Sequence, residues 1–452
     1  MKRETTARMM LVRIPLVCLA LGVSPAALSV GSWTAKAPMN NDRVALVAAA
    51  IDGRIYAMGG SGSAGKTASE VYNPVTDTWS NLTPTPSGRA LASGGVIDGK
   101  LYVVGGCLNS DCIPGVTGLL EVYDPLTDTW TTRAPMPSSR NSTAAGVIGG
   151  KLYVAGGMRQ CGPCTPLDTL EVYDPVSDTW SSKASMPTPR TFVAGAVVDG
   201  KLYVIGGQSQ AFAESGIVEV YDPATDTWSS GSAMPTPRQL LSAGVLNGKI
   251  YVAGGQTATN NALDTVEVYD PSTDSWTSST SMLTARNGLA TAVVGSTLYA
   301  IGGADIPGNL LASVESFTAI PAPLVVTIKI KRGSATHLLN LKPKEVISVA
   351  VLTTTDFDAR RIDVATVCFG DAEVPSERDC SEAHNRAHVK DVDRDGDADV
   401  VLHFEKRETG IDGSDTQACL DGRTFDGVAI EGCDSLTPAK PSLWDRLSDI
   451  YH

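Results

Sequence analysis

Two kinds of apolar run alternate along most of this chain. The first is a pair of short apolar segments joined by a two-residue turn, as in "VAAAIDGRIYAMGG". Its turn is Asp52-Gly53, and the equivalents are Asp98-Gly99, Gly149-Gly150, Asp199-Gly200, Asn247-Gly248 and Gly295-Ser296. Asn/Asp-Gly pairs accept the positive φ that a two-residue hairpin turn needs at both central positions, so each copy predicts a β-hairpin. The second kind is "SEVYNPVTDTW" with its relatives "LEVYDPLTDTW", "LEVYDPVSDTW", "VEVYDPATDTW" and "VEVYDPSTDSW". Here an alternating run stops at Asn-Pro or Asp-Pro, where proline fixes φ at the second turn position, and another strand follows through the Trp.

The two hairpins recur together at a fixed spacing. Trp33, Trp79, Trp130, Trp180, Trp228 and Trp276 are each followed ten residues later by Arg43, Arg89, Arg140, Arg190, Arg238 and Arg286. Sixteen residues further on come glycine pairs beginning at Gly59, Gly105, Gly156, Gly206, Gly254 and Gly302. A period of 46 to 51 residues held over six copies predicts a repeat architecture, and four antiparallel strands per copy predict a propeller blade. With Gly-Gly after the second strand, Tyr before the turn and Trp after it, the copies resemble the kelch repeat over roughly residues 30–320.

The last copy reaches "VESFTAI" without a closing Trp strand, while "GSWTAKAP" around Trp33 is a spare one. The resemblance implies that this N-terminal strand completes the blade that starts at Arg286, leaving no open sheet edge. The expected fold is therefore all-β: a six-bladed kelch β-propeller of four-stranded antiparallel blades, closed by the Trp33 strand and followed by a small β-sandwich.

The ends of the chain read differently. Residues 1–29 have a basic start, an apolar stretch from Ile14 to Val23 and a small-residue exit at Ala27-Leu28-Ser29, the pattern of a cleaved signal peptide. The apolar run is short of the ~20 residues that span a bilayer. After cleavage no membrane span is expected, and the protein is expected to be secreted, extracellular or periplasmic, and monomeric. After "TAIPAP" the segment 321–438 offers short alternating runs ("LVVTIKI", "VISVAVL", "VATVCFG", "VVLHFE"), and residues 439–452 form a tail. Through "VISVAVLTTTDFDA" and "DVDRDGDADVVLHF" this part resembles an accessory module at the C-termini of secreted bacterial proteins.

Export changes the reading of the cysteines. Loss of Cys18 with the signal leaves eight, in local clusters Cys107/Cys112, Cys161/Cys164, Cys368/Cys380 and Cys419/Cys433. In an oxidising compartment, pairing within each cluster is the simplest of the possible connectivities. "CGPC" at 161–164 matches a thioredoxin-type tetrapeptide, but that chemistry needs a helix N-terminus to lower the thiol pKa, and here it falls in a loop between strands. A loop staple is the expected role. The net charge of −13 argues against nucleic acid and anionic membranes as partners.

Candidate binding chemistry lies in two features of the repeats. Only the stretch from Gly-Gly to Tyr varies in length, from 13 to 18 residues, and those loops emerge on one face. The two longest, after Gly106 and Gly157, carry cysteines. Long stapled loops on a rigid scaffold are where partners bind, here an extracellular protein or glycan. The second feature is the set of six repeat arginines, the ligand-binding candidates of the propeller, whose guanidinium groups hold a carboxylate well if they line the channel mouth. Against that stand Glu70, Glu121, Glu171, Glu219, Glu267 and Glu315, one per copy, which favour repeated internal ion pairs.

Histidine is absent from residues 30–320, and all five histidines lie further on, so the copper chemistry of kelch-type oxidases has no ligands. Kelch-type sugar-acid isomerases of bacterial periplasms remain the alternative, with the Arg and Glu sets as catalytic material. The primary expectation is a non-catalytic binding protein with no catalytic residue assigned.

The C-terminal module carries a metal signature. Asp391, Asp393, Asp395, Gly396, Asp397 and Asp399 spell D-x-D-x-D-G-D-x-D between two strands. Alternate carboxylates around a glycine turn supply the oxygens that calcium needs, with Asp397 expected to give its backbone carbonyl. The acid usual at the twelfth position is replaced by Leu402, so the loop is similar to short strand-loop-strand sites of dockerin-like or integrin-like repeats. Structural calcium is the expected cofactor.

Overall fold

The computed structural model describes residues 31–109, 115–159, 165–210, 213–259, 262–306, 308–319, 324–331, 346–372, 387–405, 409–411, 415–426 and 428–436. The predicted signal peptide, the C-terminal tail and the CGPC segment lie outside them.

Six four-stranded antiparallel sheets follow one another over residues 31–319, as the repeats predict. Blade 2 shows the pattern, with Ser93–Ile97, Lys100–Val104, Leu120–Asp124 and Thr129–Arg133 paired in chain order. The first strands of neighbouring blades meet one another around the axis. They are rich in small residues because the space there is small: a Cβ on Gly95 would lie 2.6 Å from Val147 of the next blade. The second strand, "KLYVV", is buried at every position after Lys100, since both of its faces are covered by neighbouring blades, while the fourth strand is largely exposed. Tyrosines fill the seams: Tyr102 packs on Tyr173 of the next blade at 6.0 Å between ring centroids.

Turn chemistry follows the sequence closely. Asp52 and Gly53 have φ of 48° and 73°, and four of the other turns also place both central residues at positive φ. The sixth differs, with only Gly295 at positive φ, because Ser296 carries a Cβ that disfavours it. The Gly-Gly pairs join blade to blade. Gly106 donates its N–H to the Arg140 carbonyl of the next blade at 3.1 Å. A Cβ on Gly105, itself at φ 67°, would sit 2.4 Å from that same oxygen. Only glycine fits this backbone approach.

The ring closes as expected. Gly31–Lys36 adds antiparallel to Val314–Ala319, with Trp33 opposite Phe317 and their rings 5.3 Å apart. Trp33 also donates its indole N–H to the Thr280 carbonyl at 2.9 Å.

Beyond residue 323 two further four-stranded sheets enclose one hydrophobic core that includes Ile330, Val349, Phe369, Leu402, Phe404 and Leu420. One sheet is Leu324–Val325, Ala429–Ser435, Gln417–Thr424 and Ile362–Asp371; the other is Ile328–Lys331, Val346–Val351, Asp399–Glu405 and His388–Lys390. The expected Cys419–Cys433 disulfide joins directly opposed residues of adjacent strands. Cys107 and Cys368 are also disulfide-bonded. Their expected partners Cys112 and Cys380, with Cys161 and Cys164, fall outside the described residues.

Candidate functional site

One end of the propeller axis is built from the residues that follow the repeat arginines. Two positions after each arginine stand Ala45, Leu91, Ser142, Phe192, Leu240 and Gly288, all with φ between 53° and 58°. Their backbones form a closed circle of six hydrogen bonds. Leu91 donates its N–H to Ala45, Ser142 to Leu91, Phe192 to Ser142, Leu240 to Phe192, Gly288 to Leu240 and Ala45 to Gly288, at 2.7 to 3.2 Å. A left-handed backbone at a non-glycine residue is costly and persists only where surrounding structure fixes it. Here the circle fixes it six times over. Sequence inspection gave no sign of this device, because the side chains at these positions share no character.

The circle narrows the mouth to a shallow cavity of about 100 Å³, lined by Leu91, Phe192 and Leu240 on one side and by Ala45 and Gly288 on the other. Below it the channel holds about 210 Å³ among residues such as Ala48, Gly94, Thr143, Ala194 and Thr291. Among the described residues no charged side chain lines either space. Its hydroxyls pair with one another, Ser93 with Thr143 at 2.6 Å and Ser242 with Thr291 at 2.9 Å. The variable loops surround this mouth. Cys107, Met158, Gln208, Gln256 and Ala304 each bridge to the residue just after a repeat arginine. Phe192, one of the few propeller aromatics outside a repeat position, lies on the circle itself.

The six arginines, the ligand-binding candidates of the sequence, lie inside the blades rather than lining the mouth. Arg43, Arg89, Arg140, Arg190, Arg238 and Arg286 are 0–3% exposed. Each is ion-paired to its own blade's glutamate: Glu70, Glu121, Glu171, Glu219, Glu267 and Glu315. The Arg89–Glu121 pair measures 2.6 Å, and Arg89 also donates to the Val103 carbonyl at 2.9 Å. Burial pushes each guanidinium pKa down, and the neighbouring carboxylate opposes it. These groups tie the second and third strands of each blade, which is the scaffold reading of the Arg and Glu sets.

A second repeated network fastens each blade to the one before it. Tyr123 donates its hydroxyl to Asp128 at 2.6 Å, Asp128 accepts the Thr83 N–H at 3.0 Å, and Trp130 donates to the Thr83 carbonyl at 3.1 Å. The tyrosine hydroxyls hold Asp77, Asp128 and Asp178 below the usual carboxylate range. For Asp226 and Asp274 the backbone N–H groups of Ala184 and Ser232 contribute most. A carboxylate with a lowered folded-state pKa stabilises above its unfolded value, about 4, and that contribution disappears as pH falls through the lowered value. The propeller is therefore expected to lose stability progressively below about pH 4. Tyr123→Phe should flatten that loss in denaturation midpoints measured across the acid range.

The sequence holds two Asn-X-Thr glycosylation sequons, Asn81-Leu82-Thr83 and Asn141-Ser142-Thr143, and the structure separates them. Asn141 is buried, with its amide on Cys107 Sγ at 3.0 Å, so it is closed to modification, whereas Asn81 is exposed.

In the C-terminal module the aspartates do converge. Ligand oxygens of Asp391, Asp393 and Asp395 lie within 4.8 Å of one another, and so do those of Asp393, Asp397 and Asp399. Asp391 accepts the N–H groups of Arg394 and Gly396, which curls the loop around Gly396 at φ 100°. Asp399 is fully buried and anchors the loop to the strands by accepting Thr353 N–H at 2.9 Å and Val392 N–H at 2.7 Å. Asp397 Oδ1 is buried without a hydrogen-bond partner. Burial and the charge of Asp395 push its pKa up to about 6, and raise that of Asp393 as well. A buried, unpartnered carboxylate oxygen amid like charges is the donor chemistry that a hard divalent cation suits. It adds the Asp397 side chain to the set, where only its backbone carbonyl had been expected.

Among the described residues no helix is long and apolar enough to cross a membrane. Fold and site together define a closed β-propeller with a loop-ringed mouth whose described lining residues are uncharged. A family model described as the KLHDC2/KLHL20/DRC7 Kelch-repeats domain matches residues 23–186 and, overlapping, 135–303. The chain belongs to this kelch-repeat family. A solved structure described as "Structure of YjhT" aligns with a TM-score of 0.55 and 20% sequence identity, covering 62% of this chain and 96% of that one. At that identity the likeness is one of fold.

Proposed function

We propose that this is a secreted, non-catalytic binding protein. It presents the loops around the propeller mouth to an extracellular protein or glycan, and its C-terminal module is stabilised by calcium. The observation that carries the reading is the division of labour around the axis. The repeat arginines and glutamates are consumed inside the blades, the described residues of the channel wall are uncharged, and the length differences between repeats fall in the loops that ring the mouth. The alternative, a sugar-acid isomerase, requires an acid or base facing the channel. The buried Arg–Glu pairs are poorly placed for that role.

Calcium is held in this reading by Asp391, Asp393, Asp395, Asp397 and Asp399. It offsets their mutual repulsion and stiffens the loop between two strands of the core sheet.

The test compares the mature chain with a variant in which the Cys107–Cys112 loop is replaced by a short turn. Both are applied to immobilised glycans and to purified extracellular proteins of the source organism. Loss of capture by the loop variant with its thermal unfolding preserved is the expected result. Turnover of a sugar acid that survives the loop exchange would establish the enzyme reading instead.

A further inference from the structure

A cavity of about 510 Å³ lies on the C-terminal module, well above the 210 Å³ of the propeller channel. It also falls within the roughly 300–1,000 Å³ typical of small-ligand sites. It covers the face of the sheet Ile328–Lys331, Val346–Val351, Asp399–Glu405 and His388–Lys390 that is turned away from the core. Lys329, Ala350 and Val401 stand side by side across that face, as do Ser348 and His403, alternating along each strand with core residues such as Ile330, Val349 and Leu402.

The cavity's chemistry is unlike the rest of the chain. In a protein of net charge −13, three cations converge here: Lys329, Lys390 and Arg394. Asp391, the one carboxylate among the described lining residues, is engaged by the N–H groups of Arg394 and Gly396. Ser348 Oγ and His403 Nδ1 are 3.0 Å apart and give the floor a polar pair, while Ala350 and Val401 give it an aliphatic patch.

The Asp-rich loop forms one wall through Asp391, Val392 and Arg394. Lys329 Nζ lies 3.9 Å from Asp393, so the acidic cluster and the cations of the cavity share a border. Without a divalent ion the loop's carboxylates offset the three cations as seen by an approaching anion. With one bound, the cations are left to act. Leu402, buried in the core where a calcium loop usually has its twelfth-position acid, leaves coordination to be completed from outside the loop.

We infer that this cavity binds a uronic-acid saccharide in a calcium-dependent manner, with Lys329, Lys390 and Arg394 receiving the carboxylate and Ser348 and His403 the hydroxyls. Charge selects an anionic ligand. Ser348 and His403, on the two inner strands of the sheet, offer hydroxyl-binding groups at the floor of the cavity, which favours a saccharide over an acidic peptide. This inference rests on the calcium reading proposed above.

Calorimetric titration of the mature full-length chain tests it. The probes are calcium alone, trigalacturonate with calcium, trigalacturonate with a chelator, galactotriose with calcium, and hexaglutamate with calcium. Calcium should bind by itself, and trigalacturonate should bind only when calcium is present. The double variant Lys329→Ala/Lys390→Ala, altered only at exposed positions, should weaken trigalacturonate binding roughly tenfold or more while calcium binding is kept. Ser348→Ala should weaken it a few-fold. Calcium binding without trigalacturonate binding would overturn the cavity assignment and leave the calcium reading standing. No heat with calcium would overturn the calcium reading itself, and trigalacturonate binding unaffected by chelation would overturn the coupling. Equal binding of hexaglutamate would replace the saccharide with an acidic peptide. Unchanged affinity in the double variant would move the site elsewhere.

Discussion

Replacing Arg140 by alanine is expected to destabilise the propeller by about 3–5 kcal/mol, the cost of leaving one partner of a buried ion pair alone. Arg140 is fully buried, is paired to Glu171, and donates to the Val154 carbonyl at 2.8 Å. Its loss leaves Glu171, only 3% exposed, charged and unpaired beside an unsatisfied carbonyl. Glu171→Ala should cost a similar amount, because it strands the guanidinium instead. The double variant Arg140→Met/Glu171→Leu should recover most of the loss, since removing both charges removes the uncompensated one. Denaturant midpoints of the three variants measure this directly. If Arg140→Ala kept the midpoint but abolished capture of an anionic ligand, these arginines would be binding groups after all.

That result bears on how much was legible in advance. Ring order, strand pairing and closure could be read from Trp33 to Gly302 because each depends on local chemistry: a turn that needs Asp-Gly, a seam that needs Gly-Gly, a Tyr and Trp at fixed spacing. The Asp-rich loop was readable for the same reason, its carboxylates lying within nine residues of one another. The Arg and Glu sets were found as residues, but direction was not written in their spacing. A guanidinium two residues before the mouth points either toward the axis or into its blade, and only the packing of the second and third strands decides. The circle of backbone hydrogen bonds was invisible because Ala45, Leu91, Ser142, Phe192, Leu240 and Gly288 take part through main chain alone. The cavity beside the Asp-rich loop was missed for a third reason. Lys329, Ser348 and His403 come from three strands separated by up to 74 positions, and only sheet register brings them together.

The largest effect is expected at the closure. Trp33 is 6% exposed and packs on Phe317, so Trp33→Ala should cost about 3–5 kcal/mol on burial alone. Deleting the whole strand Gly31–Lys36 goes further, since it frees one edge of Val314–Ala319, whose other edge stays paired to Thr297–Ile301. The exposed strand then offers unsatisfied backbone groups along its length, with Phe317 uncovered, and such an edge pairs with other chains. Light scattering of the deletion variant is expected to show larger species than the intact chain forms. A synthetic peptide of sequence GSWTAK should compete with that association by restoring the missing strand. This blade also has the least redundancy. Phe317 replaces the tyrosine whose hydroxyl binds aspartate in the other blades, leaving Trp33–Thr280 and the Thr280 hydroxyl on the Gly31 carbonyl, at 2.8 Å, to fasten it. The predicted signal cleavage after residue 29 falls just ahead of this strand, so processing a few residues later would produce the same open ring. A deletion variant that stays monomeric with an unchanged unfolding midpoint would show that the blade holds without its terminal strand.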